Sequence, residues 1–197
     1  MRLYSYIVAR DYGFAPNPFC GVCTLATCKP DIRRTAQVGD WIVGTGSHRY
    51  GLGGKLVYAM RVAEVVTYDE YWSDARFLQK RPNLRGSLKQ AYGDNIYHRD
   101  ELGHWVQANS HHSCPDGMPN EDNVQHDTRV TRVLIAAEFT YWGGSGPQIP
   151  ARFRDDVCCE RQGHKCRFPD ALVNSVIAWL RSLNERGYVG SPREFHL

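Results

Sequence analysis

Alternating apolar and polar positions predict several strands in this sequence. Residues 3–8 alternate well enough to form a first strand with both faces covered. Residues 41–43 indicate a short buried strand between a Gly39-Asp40 turn and a glycine-rich exit. Residues 56–66 give the longest strand pattern, and we expect them to return beside it as a β-hairpin. Further short strands are predicted at residues 95–98, 104–107 and 131–139.

Helical periodicity is clearest over residues 169–187. Asp170 can cap the start of this helix and Gly187 can stop its end. Residues 69–77 suit a short helix, and the polar, basic residues 78–94 suggest an exposed loop. The apolar stripe of the long helix consists of Leu172, Val173, Val176, Ile177, Leu180 and Leu183. This mixture of elements predicts an α+β fold in which the long helix packs on a sheet.

The stretch from residue 38 to residue 47 is where we expect one wall of a binding pocket. Gly44 and Gly46 leave the backbone bare at the end of a strand, so a flat ligand can approach main-chain N–H and C=O groups. Thr45 and Ser47 add hydroxyls that can donate or accept hydrogen bonds. Glycines in this position are equally typical of a hairpin corner with no ligand. Both interpretations stay open at this point.

Residues 10–19 form a loop with an unusual number of large aromatic side chains. Two prolines exclude a helix there. Tyr12, Phe14 and Phe19 are too many aromatics for an ordinary surface loop, so the loop is expected to fold back over something. It either contacts a ligand or covers the end of the sheet as a hydrophobic lid.

A long irregular stretch, residues 108–128, is rich in polar and imidazole groups. Loops of this length inside a compact domain are usually functional or disordered. His112, His126 and Asp127 are candidates for general acid–base or nucleophilic catalysis if the fold brings suitable partners together. No sequence motif of a known catalytic class accompanies them. The alternative is a loop whose side chains satisfy its own backbone.

The cysteines fall into two groups that suggest either metal ligands or free thiols. Their number, seven, is odd, and no export signal precedes them, so a disulfide framework is not expected. The first group is Cys20, Cys23 and Cys28. The second group is Cys158, Cys159, His164 and Cys166, which we consider candidate ligands of a structural zinc. Buried free thiols are the alternative interpretation of both groups.

The length of the chain indicates the number of domains, and its charge indicates which kinds of partner it can bind. The 197 residues suit one domain, 1–197, with its own core. With 24 basic and 21 acidic residues, the net charge of +3 favours a ligand of modest charge over long duplex DNA. No apolar run approaches the roughly 18 residues of a membrane span. The amino-terminal residues lack a signal-peptide layout, so we expect a cytoplasmic protein without a membrane partner.

Several segments carry a resemblance to a known family. They lie at residues 4–6, 10–19, 24–30, 39–47, 93–97 and 127–128, and include Arg-Asp-Tyr-Gly-Phe-Ala-Pro-Asn-Pro-Phe and Gly-Asp-Trp-Ile-Val-Gly-Thr-Gly-Ser. Together they resemble the second type of nucleotide modification associated domain, over at least residues 3–150. The resemblance implies a bacterial or phage setting of DNA modification or defence. It also implies that the partner is a nucleotide or modified base, free or within nucleic acid.

The order of parts also resembles the PUA-like group, which includes the EVE and YTH domains. That likeness implies a small β-barrel with flanking helices, which holds a modified base between aromatic and polar side chains. Tyr12, Phe14 and Trp41 would then stack on the base, and Asn17, Thr45 and Ser47 would bond its edge. The full ligand-binding set that we predict is Arg10, Tyr12, Phe14, Asn17, Trp41, Thr45, Gly46, Ser47, Asn95 and His112.

Three functional hypotheses result, the last of which is a purely structural adaptor in a defence or modification complex. The first is a binding module that recognises a nucleotide or modified nucleobase. The alternative is an enzyme of nucleotide or base modification that uses the loop of residues 110–128 and its His112, His126 and Asp127. The enzyme hypothesis depends on a Cys–His or His–Asp arrangement that the fold would have to bring together.

Overall fold

The computed structural model describes residues 1–195 of the protein. The strands are β1 (Leu3–Val8), β2 (Cys23–Leu25), β3 (Trp41–Gly46), β4 (Leu56–Arg61), β5 (Glu64–Thr67), β6 (Tyr97–Arg99), β7 (Trp105–Gln107), β8 (Arg132–Ala136), β9 (Glu138–Tyr141), β10 (His164–Lys165) and β11 (Gly187–Tyr188). The α-helices are α1 (Pro30–Thr35), α2 (Tyr68–Ser73), α3 (Leu88–Ala91), α4 (Glu121–Thr128), α5 (Ala151–Val157) and α6 (Asp170–Ser182). Short 3-10 helices lie at His48–Tyr50, Ala75–Lys80 and Gly143–Ser145. The fold is therefore a mixed α+β fold, as predicted.

The strands form two main sheets and a ribbon. A mixed six-stranded sheet has the order β10-β1-β3-β4-β9-β11, and a three-stranded sheet has the order β2-β8-β5. The β6–β7 pair is a separate antiparallel ribbon. The predicted hairpin is confirmed as the antiparallel pair β3–β4. Over residues 1–195 the sheets do not close into a barrel, so the PUA-like barrel is not confirmed.

Two strand predictions were wrong because the chain changes sheet in the middle of each run. The run of residues 56–66 divides into β4 and β5, since Val62 pairs with the turn at Asp40 and Ala63 then donates to the Ile135 carbonyl in the other sheet. The run of residues 131–139 divides in the same way into β8 and β9, with Ala137 exposed at the break. Both runs therefore link the two sheets.

The core is layered. Tyr4 and Tyr6 point from β1 into the space between the two sheets. Leu3 points to the opposite side, where α5 and α6 cover the six-stranded sheet. The outer face of the three-stranded sheet packs against α2, the β6–β7 ribbon and Phe14 of the aromatic loop. The candidate site lies in this last layer.

The helix predictions were partly confirmed. The long helix α6 ends at Ser182 rather than at Gly187, because Asn184 takes a left-handed backbone with φ of 54° and the chain enters β11. The residues predicted as one short helix form α2 and then a 3-10 helix. The loop of residues 108–128 contains α4 at its end. The prediction of an exposed loop over residues 78–94 was wrong for Lys80 and Asp94, which are buried, and for residues 88–91, which form α3.

Candidate active site

Cys28 lies at a sharp turn between β2 and α1. Its φ is 56°, and the next residue, Lys29, has a φ of 39°. Non-glycine residues rarely occupy this left-handed region, and such strain is concentrated at functional positions. Pro30 then begins α1, where its missing N–H costs no hydrogen bond. The thiol is consequently presented on a strand-to-helix turn, partly open to solvent.

The fold brings Asp127 to Cys28 through the pairing of β2 with β8. These strands are antiparallel, so residues that follow β2 lie beside residues that precede β8. Asp127, near the end of α4, is fully buried. One of its carboxylate oxygens accepts the backbone N–H of Cys28 at 2.7 Å, and the other accepts the hydroxyl of Tyr97 at 3.1 Å. Ninety-nine positions apart in sequence, the two residues are directly bonded in the fold.

His112 completes a line of three side chains. Its Nδ1 lies 3.0 Å from the second carboxylate oxygen of Asp127, and its Nε2 lies 3.8 Å from Sγ of Cys28. Asn123 and Gln107 both donate to the His112 carbonyl, at 2.8 and 3.3 Å. The imidazole is therefore oriented on one side by a carboxylate and aimed on the other at a thiol. We call Asp127, His112 and Cys28 the triad, because a carboxylate, an imidazole and a thiol in this order are the side-chain types that cysteine-dependent catalysis uses.

The charge state of His112 follows from these contacts. Burial disfavours the charged ring, but hydrogen bonds to Asp127 and Cys28 outweigh it and raise the pKa of His112 to about 9. Near neutral pH the ring therefore carries both protons. A protonated imidazole beside a sulfur can pair with a thiolate and later give its proton to a leaving group.

Aromatic rings extend from the triad in a continuous band, which we call the aromatic band: Tyr12, Phe14, Tyr92 and His111. The Phe14 ring lies 4.6 Å from the ring of His112. Tyr12 lies 4.4 Å from His111 and stacks on Tyr92 at 5.5 Å. Phe14 is buried, whereas the other three rings are partly or largely exposed. At the outer end, the exposed Arg10 guanidinium lies 5.9 Å from the Tyr12 ring centre.

Of the predicted ligand-binding residues, the structure thus brings together Arg10, Tyr12, Phe14 and His112. Trp41 instead belongs to the core between the six-stranded sheet and α6. The cavity beside its indole measures about 30 Å³, room for water rather than for a base. Its contribution to ligand binding stays a prediction that the site geometry does not support.

The remaining predicted positions have structural partners within the chain. Thr45 donates to the Tyr6 carbonyl, and the Ser47 hydroxyl caps a 3-10 helix. A Cβ on Gly46 would overlap the Leu52 carbonyl, so this glycine permits a close backbone approach. These contacts are those of the hairpin-corner interpretation.

Both predicted asparagines are buried and act as braces. Asn17 accepts from the Lys80 ammonium at 2.8 Å and donates to the Tyr92 carbonyl at 2.9 Å. Asn95 donates to the Tyr71 carbonyl at 2.9 Å. Asn17 thereby fixes the aromatic loop to the element that carries Tyr92, one ring of the aromatic band.

The candidate metal ligands do not form a site in the structure. Among residues 1–195, no group of three or more histidine, cysteine, aspartate or glutamate side chains is arranged to hold a metal ion. Cys159 lies against the Ser5 carbonyl, and Cys166 packs on the core. Cys23, in the first group, is fully buried, and burial raises the pKa of its thiol to about 12. The residues present therefore do not fit a structural zinc.

The sequence pointed to His112 and Asp127 but not to their partner. His126, the third predicted catalytic residue, is exposed on α4 beside the buried Asp127. Cys28 was considered only as a thiol or a metal ligand. A local signal in the sequence is the position of Cys28 two residues before Pro30, a residue that favours the first turn of a helix.

The family comparison matches the whole chain. A model of nucleotide modification associated domain 2 matches residues 1–197. The chain belongs to this family. The resemblance noted from the sequence is confirmed and extends over the full length, so this nucleotide modification associated domain is linked to nucleotide modification. Comparisons with curated proteins and with solved structures gave no match. Of the helices within residues 1–195, none has the length and apolar character that crossing a membrane requires.

Proposed function

We propose that the protein is a cysteine-dependent enzyme that acts on a nucleotide or modified nucleobase. Cys28 is the nucleophile, His112 transfers the proton and Asp127 orients the imidazole. The observation that carries this proposal is the alignment of Asp127, His112 and Cys28 at 3.0 and 3.8 Å around a strained turn. Catalytic hydrogen bonds are often long before substrate binds, so the 3.8 Å separation fits the role.

The chemistry that this arrangement supports is hydrolysis or transfer at a carbonyl carbon. The Cys28 thiolate attacks the carbon, and the carbonyl electron pair moves onto its oxygen. When the intermediate collapses, the bond to the leaving nitrogen or oxygen breaks, and Nε2 of His112 protonates that atom. Water, or an amine in a transfer reaction, then gives a proton to His112, attacks the thioester and releases the Cys28 thiolate. The catalyst returns to its starting state.

The aromatic band would hold the heterocycle of the substrate. Its rings start beside His112 and remain partly exposed, so a base can stack on them within reach of the thiol. Stacking of a base on an aromatic ring is worth about 1–3 kcal/mol. The exposed guanidinium of Arg10 at the outer end suits a phosphate group.

Recognition without turnover is the second candidate function, favoured by the same aromatic band. A binding module needs the rings but not the Cys28 thiol. The two candidates therefore differ in one variant, Cys28→Ser. If the protein is an enzyme, Cys28→Ser loses turnover and still binds the ligand. If it is a binding module, the parent shows no turnover, and Cys28→Ser binds the ligand with the parental affinity.

The test is covalent trapping. The protein would be incubated with nucleoside monophosphates and short single-stranded oligodeoxynucleotides whose bases carry amide or ester substituents, and intact mass would be measured after an acid quench. The proposal expects an acyl adduct located on Cys28 and absent in Cys28→Ser. Cys20→Ser, which removes an exposed thiol outside the triad, is the matched control and should retain the adduct. An adduct that survives Cys28→Ser would contradict the proposal.

A further inference from the structure

Arg33 is the buried residue that binds the segments carrying the nucleophile and the acid to one another. It lies on α1 and is fully buried. Its Nε donates to the Cys28 carbonyl at 2.8 Å, and one terminal nitrogen donates to the Asp127 carbonyl at 2.7 Å. The other terminal nitrogen donates to the carbonyls of Val130 and Arg132 at 2.7 and 2.9 Å. One planar group therefore joins the turn after β2 to the segment between α4 and β8.

The partners of Arg33 are unusual for a buried charge. Buried charged groups are normally paired with an opposite charge, because desolvation is costly. Within residues 1–195 the Arg33 guanidinium forms no ion pair with a carboxylate, and its four bonds go to backbone carbonyls. Tyr68 covers the group at 5.5 Å and itself donates to the carbonyls of Ala26 and Asp127. The buried guanidinium is therefore stabilised by backbone carbonyls instead of a carboxylate, and its hydrogen bonds fix the positions of those backbone segments.

The backbone that is fixed is the strained turn of the nucleophile. The N–H of Cys28 is held by the Asp127 carboxylate, and the carbonyl of Cys28 is held by Arg33. Arg33 also donates to the Asp127 carbonyl. Both peptide groups that flank Cys28 are therefore connected to Asp127, one directly and the other through Arg33. We propose that Arg33 is a positioning residue that sets the Cys28–His112 geometry, an inference that rests on the proposed function.

Lysine cannot replace this group. An ammonium is a compact charge with three donors, whereas the guanidinium presents five donors in a fixed planar fork. Arg33→Lys therefore keeps the charge and loses the bridge. Arg132 offers a control, because its side chain also donates to two backbone carbonyls, those of Arg34 in α1 and Ala36 just after it, at 2.6 Å each. That clamp includes neither Cys28 nor Asp127. Replacing the Arg132 side chain leaves its own carbonyl, which Arg33 binds, in place.

The experiment measures the rate at which iodoacetamide alkylates Cys28, resolved by peptide mass spectrometry, across a pH series. In Arg33→Lys we expect the rate near neutral pH to fall by about 10-fold or more, because small displacements of reacting groups have large kinetic effects. The pH profile of alkylation should also stop depending on His112, so that adding His112→Gln to Arg33→Lys changes the profile less than His112→Gln changes it in the parent. In Arg132→Lys the rate should stay within about 2-fold of the parent even if the melting temperature falls, by the same distance argument.

A second variant keeps the inference testable if Arg33→Lys does not fold. Tyr68→Phe removes one hydroxyl that bonds the Ala26 and Asp127 carbonyls. It should also lower the alkylation rate of Cys28, by a smaller factor than the fall expected in Arg33→Lys. A folded Arg33→Lys with the parental rate and pH profile overturns the inference. An equal loss in Arg132→Lys also overturns it, since the effect would then be one of general stability. Reactivity of Cys28 in the parent that does not respond to His112→Gln overturns the proposed function itself.

Discussion

The carboxylate of Asp127 binds the ring of His112 through one oxygen and the backbone N–H of Cys28 through the other, at 3.0 and 2.7 Å. A single buried carboxylate therefore orients the imidazole of His112 and anchors the turn that carries the Cys28 thiol. Its carboxylate also accepts the Tyr97 hydroxyl. Most of the testable behaviour of the site follows from this double attachment.

Replacement of Asp127 by asparagine should impair chemistry much more than ligand binding. The amide can present an N–H to Nδ1 of His112, which stabilises the wrong tautomer, and it removes the negative charge that supports the protonated ring. For a substrate identified by the covalent-trapping experiment, we expect kcat to fall by about 10³-fold or more. Steady-state kinetics would measure kcat and KM separately, and a change confined to KM would contradict the assignment of Asp127.

Protonation of His112 should make stability depend on pH. Its pKa of about 9 in the folded protein exceeds the usual 6.5, so the folded state binds this proton more tightly. The resulting stabilisation is complete below about pH 6.5 and is lost as the pH rises through about 9, on the order of 3 kcal/mol in total.

The measurement is the free energy of unfolding by denaturant for the parent and for His112→Gln at several pH values. The difference between the two should shrink from about pH 6 to about pH 10. His126→Gln, which alters an exposed histidine one residue from Asp127, is the control and should leave the pH profile unchanged. A difference between parent and His112→Gln that grows with pH would have the wrong sign for this assignment.

The aromatic band should contribute to recognition and not to the reactivity of the thiol. In Tyr12→Ala, the stacking surface next to His111 is lost while the triad contacts are retained. We expect KM or Kd for a nucleotide ligand to rise by about 10-fold, the equivalent of one lost stacking contact. Iodoacetamide alkylation of Cys28 should match the parent rate. A parallel loss of alkylation would show that Tyr12 supports the triad itself.

The glycines of β3 should matter for stability. A Cβ on Gly44 would overlap the ring of Tyr58 and a methyl group of Val8. Both neighbours are buried, so Gly44→Ala should destabilise the protein by about 1–3 kcal/mol. Thermal unfolding would then show a melting temperature lower by several degrees, about 2–4 °C per kcal/mol for a chain of this size. An unchanged melting temperature would indicate that the space above Gly44 is open to a ligand.

Local sequence patterns were enough to predict the first strand, the β3–β4 hairpin and most of α6. The composition of the first strand, the turn between β3 and β4 and the amphipathic stripe of α6 are each visible within a short window of the sequence. The division of residues 56–66 and of residues 131–139 was missed, because an apolar run looks the same whether it stays in one sheet or bends into another. Hydrogen bonds from Ala63 and Val62 to distant segments decide the bend, and no local pattern encodes them.

The site shows the same limit. His112 and Asp127 stood out because polar groups cluster in one loop, and the aromatic content of residues 10–19 together with the PUA-like likeness pointed to Tyr12 and Phe14. Cys28 lies 84 positions from His112. The pairing of β2 with β8 brings Cys28 to Asp127, and the contacts of His112 with Asp127, Asn123 and Gln107 place its ring beside the thiol. The glycines after Trp41 are compatible with a ligand or with Tyr58, and only packing distinguishes the two.

The two corners at which the chain leaves one sheet for the other restrict where the length of the sequence can vary. Ala63 and Ala137 are exposed, yet each lies between two strands of different sheets whose pairing registers are fixed, β4 and β5 or β8 and β9. Deleting either alanine would shift one strand by a single position and exchange the two faces on which its side chains pack. Insertions and deletions are therefore expected at the tip of the β6–β7 ribbon, where Leu102 is 81 % exposed, and not at these small surface residues.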